Sequence, residues 1–150
     1  MYLVDTSVWV DFLRGSGTPQ VMALKGLLGG DDIVGVAPII LQEVLQGADS
    51  DERFEKWRKY FAGLCCYAPA DPVASSIAAA RLYQACRRTG KTPRSSNDCL
   101  IAHIAIEHEL VLLHCDRDFT AIATIALKLR LFPVRVQVLP PGEMPRRDDR

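Results

Sequence analysis

Ser96-Asn-Asp-Cys-Leu-Ile-Ala-His-Ile-Ala-Ile-Glu-His-Glu-Leu-Val-Leu-Leu-His-Cys-Asp-Arg-Asp118 is the stretch whose reading decides the fold. On a helix, Ile101, Ala102 and Ala105 lie three, four and seven positions beyond Asp98, so this carboxylate heads an apolar stripe. An acid that faces a core is costly unless it is paired, hydrogen-bonded or bound to a cation. The short apolar run Leu110 to Leu113 then reads as a buried strand, and the chain leaves it through two more acids, Asp116 and Asp118.

The same oddity recurs upstream. Met1 to Val4 is a short apolar run ending at Asp5, and Thr6-Ser7 opens a helical pattern through Val8, Phe12 and Leu13: strand, acid, helix. Val21 to Leu28 resumes an amphipathic helix, stopped by Gly29-Gly30, and Asp32 to Val36 reads as a second strand. Pro38 suits the first turn of a helix that stops at Gly47, in which Ile39, Ile40, Glu43 and Val44 share one face. Glu43 therefore points the way the apolar residues point. Asp51 to Leu64 is an amphipathic helix with a solvated outer face, and Cys65 to Tyr67 a third strand. Ala70-Asp71-Pro72 begins a long helix reaching about Arg88, ended by Gly90 and Pro93, and Ser95 or Ser96 caps the helix of Asp98. Downstream, Phe119 to Leu131 reads as a helix and Val134 to Leu139 as a last strand at a sheet edge. The tail from Pro140, rich in Pro, Arg and Asp, is expected to be disordered.

Short strands separated by helices predict an α/β fold, a mainly parallel sheet flanked by helices, built by residues 1–139 as one domain. At 150 residues the chain can bury a single substantial core. Eighteen basic and eighteen acidic residues leave no net charge, so any sign of a polyanionic partner must come from local clustering. Five cysteines without a Cys-x-x-Cys pair do not form a disulfide framework and are expected as buried reduced thiols. Asp5 interrupts the apolar start, no basic leader precedes it, and no apolar run approaches the ~20 residues of a membrane helix. The expected location is the cytoplasm.

In such sheets the working crevice lies at the carboxyl ends of the strands. Asp5 and Asp116 fall there, the start of the Asp98 helix reaches the same edge, and Glu43 faces inward. Each acid alone has an ordinary job: Asp5 as a helix cap, Asp98 as a complement to the helix dipole, Glu43 as partner of Arg53 or Arg81, and Asp116-Arg117-Asp118 as a turn. Together, uncompensated, they would repel one another, and a divalent cation removes the problem. An all-oxygen cage suits Mg²⁺ or Mn²⁺ better than zinc, and one or two such ions can activate water for attack on a phosphodiester. His103 and His108, five apart, do not reproduce the spacing of helical zinc hydrolases. Cys99 and Cys115 flank the acids and read as small core residues.

Met1-Tyr-Leu-Val-Asp-Thr-Ser-Val-Trp, Leu41-Gln-Glu-Val-Leu-Gln-Gly, Ser96-Asn-Asp-Cys-Leu-Ile-Ala and His114-Cys-Asp-Arg-Asp-Phe together resemble the PIN-domain ribonucleases, and more narrowly the VapC toxins of bacterial and archaeal toxin–antitoxin pairs. The likeness spans about residues 1–139 and implies a five-stranded parallel sheet and Mg²⁺- or Mn²⁺-dependent endoribonuclease activity. It places Asp5, Glu43, Asp98 and Asp116 at the family's acidic positions, with Asp5, Asp98 and Asp116 as metal ligands. Thr6 or Ser7 takes the family's hydroxyl position; Asp118 stands in second rank. His114 departs from the pattern, since many relatives have Thr, Ser or Asn two residues before the strand-end acid. The implied partners are RNA, a VapB-type antitoxin and a second copy in a homodimer.

Arg81, Arg87, Arg88, Lys91 and Arg94 follow one another with no acid between 81 and 94, a local basic patch that fits RNA phosphates. Other readings of the same residues are a nuclease for DNA or RNA processing without an antitoxin, and a non-catalytic interaction module.

Overall fold

Five short runs pair side by side in the computed structural model of the chain, which describes residues 1–133. They are β1 (Tyr2–Val4), β2 (Val34–Val36), β3 (Cys65–Cys66), β4 (Val111–Leu113) and β5 (Arg130–Leu131). Their order across the sheet is β3-β2-β1-β4-β5, and every pairing is parallel. Seven helices connect and cover them among the described residues: α1 (Thr6–Leu13), α2 (Pro19–Leu28), α3 (Pro38–Leu45), α4 (Asp51–Ala62), α5 (Pro72–Arg88), α6 (Ser96–Glu107) and α7 (Arg117–Ala123). None of them is long and apolar enough to cross a membrane.

The central strands are buried on both faces, as their unbroken apolar runs require: Leu3, Val4, Leu112 and Leu113 have no exposure. α6 adds Ile101, Ala102, Ile104 and Ala105 to the same core. Trp9 of α1 packs edge-on against Phe61 of α4, with ring centroids 4.9 Å apart. Gly35 has no room for a side chain: a Cβ there would lie 2.7 Å from the Cys65 carbonyl oxygen and would run into the Tyr67 ring.

One expected element is corrected. The helix read over Phe119 to Leu131 stops at Ala123, and Arg130–Leu131 instead extends the sheet beside β4, followed by a bond from Phe132 N to Leu112 O of 2.9 Å. Leu127, Leu129 and Leu131 recur at every second position, a spacing that serves a turn and strand once the helix has ended. The strand expected over Val134 to Leu139 and the tail from Pro140 lie outside the described residues.

β2 and β3 extend the sheet to one side of β1, while β4 and β5 lie on the other. The strand order thus reverses between β1 and β4, and a crevice opens there at the carboxyl ends. Asp5 follows β1 directly, and the segment His114 to Asp116 follows β4.

Candidate active site

Asp5 is 5% exposed, and its Oδ2 caps α1 by accepting the Ser7 N–H at 3.0 Å and the Ser7 hydroxyl at 2.6 Å. The hydroxyl beside Asp5 is therefore that of Ser7. Thr6 serves a different acid: its Oγ1 donates to Glu43 Oε2, while Asn97 Nδ2 donates to Glu43 Oε1 at 2.8 Å. Both oxygens of Glu43 are thus engaged, from α1 on one side and α6 on the other. Asp116 caps α7 through Oδ1, which accepts the Asp118 N–H at 2.9 Å. His114 Nδ1 lies 2.7 Å from the Asp116 carbonyl oxygen. A carbonyl can only accept, so Nδ1 carries the hydrogen. Burial keeps the His114 pKa below the usual histidine range, which favours the neutral ring.

Asp98, in the first turn of α6, meets the loop after β4. One carboxylate oxygen each from Asp98, Asp116 and Asp118 lie within 4.8 Å of one another. Burial is the larger cause, and the neighbouring charges of Asp5, Asp116, Asp118 and Glu43 add to it, in pushing the Asp98 carboxyl up to about 7. Burial also raises Asp5, against the opposing bonds from Ser7. Asp118 is held low, first by the Arg94 backbone N–H, which reaches Asp118 Oδ2 at 2.9 Å. The Arg94 side chain continues across both acids, with Nε 3.1 Å from Asp118 Oδ2 and Nη2 2.6 Å from Asp116 Oδ1.

A set of carboxylate oxygens this close, one of them driven to about 7, is a site short of positive charge. The donors are hard and all oxygen, a set that fits Mg²⁺ or Mn²⁺. The capping bonds occupy Oδ2 of Asp5 and Oδ1 of Asp116, so the ordinary role and a ligand role can coexist on different oxygens of one side chain.

Glu43 is not paired to Arg53 or Arg81; Arg53 pairs with Asp49 at 2.7 Å. Asp118, read as second in rank, belongs to the trio that meets within 4.8 Å, whereas Asp5 is not part of it and acts on Asp98 through its charge. Of the basic patch, Arg81, Arg87 and Arg88 are exposed on α5, Lys91 reaches Thr124 Oγ1 at 3.0 Å, and Arg94 lies on the acids. Cys86 and Cys99 are buried thiols as expected, but Cys65, Cys66 and Cys115 are exposed: the first two form an edge strand and the third lies in the loop after β4. Asn97 was not singled out in the sequence, although a polar amide in the first turn of an apolar helix was the available signal.

The family model for the PIN domain matches residues 2–125. A VapC ribonuclease of Mycobacterium bovis is 38% identical over 129 residues, 83% of this chain and 93% of that protein. Ribonuclease VapC11 of Mycobacterium tuberculosis matches to the same extent. Among solved structures, VapBC2 from Rickettsia felis bound to a DNA fragment from their promoter superposes with a TM-score of 0.67 at 20% identity, covering 87% of this chain and 96% of that one. VapBC-1 from nontypeable Haemophilus influenzae gives 0.65 at 18%, covering 87% and 95%.

Proposed function

Because the chain belongs to the PIN-domain family, we propose that it is an endoribonuclease dependent on Mg²⁺ or Mn²⁺, the toxin of a VapBC-type toxin–antitoxin pair. The observation that carries this reading is the meeting of Asp98 with Asp116 and Asp118 at the sheet's reversal point, with Asp5 and Glu43 close enough to raise the Asp98 pKa. Relatives 38% identical over most of the chain bear ribonuclease names, and VapBC complexes share the fold.

Asp98 and Asp116 would hold the cation, with Asp5 and Asp118 as the adjoining carboxylates. A divalent ion bound there lowers the pKa of its water and offsets the charge that develops on phosphate oxygens. The chain's own residues prepare that site. Ser7 fixes Asp5, Thr6 and Asn97 fix Glu43, and the α7 cap fixes Asp116, so the carboxylates are oriented before RNA arrives. Glu43, with Oε1 and Oε2 held by Asn97 and Thr6, is oriented at the site as a candidate acceptor of the proton from attacking water. Arg81, Arg87 and Arg88 give α5 a cationic flank for RNA phosphates. The test is cleavage of a structured RNA by purified protein: activity present with Mg²⁺ or Mn²⁺ and absent after chelation supports the reading, and cleavage indifferent to metal contradicts it.

A further inference from the structure

We propose that Arg94 is the built-in counter-cation of the acid cluster, and that its guanidinium gives up Asp116 when a divalent cation is bound there. The inference rests on the metal-dependent reading above and adds a role for a residue of the α5–α6 connection.

Three bonds define the contact. Nη2 holds Asp116 Oδ1, Nε holds Asp118 Oδ2, and the Arg94 backbone N–H holds the same Asp118 oxygen. Two of these move with the side chain and one does not, so the loop stays anchored to Asp118 while the guanidinium exchanges. Asp116 Oδ1 also accepts the Asp118 N–H at 2.9 Å, so the guanidinium shares the capping oxygen and Oδ2 is left for a ligand; what a cation there contests is the guanidinium's position beside it. A cation seated between Asp98 and Asp116 would stand within a few ångströms of the guanidinium, where the two positive charges repel, an effect that solvent moderates at this exposed side chain.

Magnitudes favour exchange over coexistence. The Arg94 side chain is 67% exposed, and ion pairs that wet are weak and screened by salt. A doubly charged ion takes the same carboxylates with twice the charge and without the side-chain entropy. Without metal, Arg94 offsets the charges of Asp116 and Asp118; with metal, the freed guanidinium stands at the rim of the site as a ready donor to an RNA phosphate.

Calorimetric titration with Mn²⁺ at low salt tests this on the wild-type protein, Arg94→Gln, Arg94→Lys and Asp98→Asn. Arg94→Gln is expected to bind Mn²⁺ about two- to fivefold more tightly, a gap that narrows as salt screens the guanidinium. Arg94→Lys, which keeps the charge, is expected to stay near wild type, and Asp98→Asn to lose binding. A second readout is the Arg94 Nε–Hε resonance, assigned by its loss in Arg94→Gln, which Mg²⁺ should move from a bonded to a solvent-exposed position. Equal or weaker binding by Arg94→Gln, or a resonance indifferent to Mg²⁺, overturns the exchange while the loss in Asp98→Asn leaves the nuclease reading standing. Absence of binding by the wild type overturns both.

Discussion

Asn97 Nδ2 donates to Glu43 Oε1 at 2.8 Å, joining the first turn of α6 to the middle of α3. With Thr6 on its other oxygen, Glu43 is held in place rather than left to find a ligand. Asn97→Ala is therefore expected to lower cleavage by about tenfold to a hundredfold, the usual effect of losing a support to a metal-site carboxylate. Its stability cost is about 1 kcal/mol. Single-turnover cleavage alongside thermal melting checks both, and unchanged cleavage would remove Asn97 from the site.

Ser7 joins the two strand ends that build the crevice: its hydroxyl donates to Asp5 at 2.6 Å and accepts the Cys115 N–H at 3.4 Å. Ser7→Ala removes a bond that holds the Asp5 pKa down against burial. The expected result is a metal affinity that falls most at low pH, read by Mn²⁺ titration at several pH values.

Asp98 sets the pH dependence of the metal-free protein. Its folded pKa, about 7, lies above the ordinary 3.8, so between those values the folded state retains a proton that the unfolded state has lost. Stability must then fall as pH rises through that window and level off above it. Melting temperatures in chelator from pH 4 to 8 check the sign, and the Asp98→Asn protein should show a flatter profile.

Gly35 tests the sheet. A methyl group there meets the Cys65 carbonyl of β3 at 2.7 Å, so Gly35→Ala forces strands β2 and β3 apart. The expected loss is about 1–3 kcal/mol in denaturant unfolding.

Much of this architecture is local and was legible from residue order alone. The run before Asp5, the cap it forms on α1, the inward face of Glu43 and the apolar stripe behind Asp98 all follow from period and capping. What escaped was what two distant loops do to each other. Arg94 and Asp116 are 22 positions apart, and their pairing depends on how the α5–α6 connection meets the loop after β4; neither segment announces it. Read as part of a basic run, Arg94 looked like a phosphate contact, and Asp118 like a turn residue. β5 was missed for a different reason: the apolar residues from Phe119 to Leu131 satisfy a helical period, and the stop at Ala123 is decided by pairing with β4 rather than by a strong breaker.

On the proposed function, the crowded carboxylates serve metal-dependent RNA cleavage and are maintained against the fold's own interest. Asp98→Asn tests it most directly, since the amide is nearly isosteric and removes the charge that burial and four acidic neighbours disfavour. At pH 8 in chelator this variant is expected to melt higher than the wild type, and neither to bind Mn²⁺ nor to cleave a structured RNA. Cleavage at the wild-type rate by a correctly folded Asp98→Asn protein would contradict the proposed function.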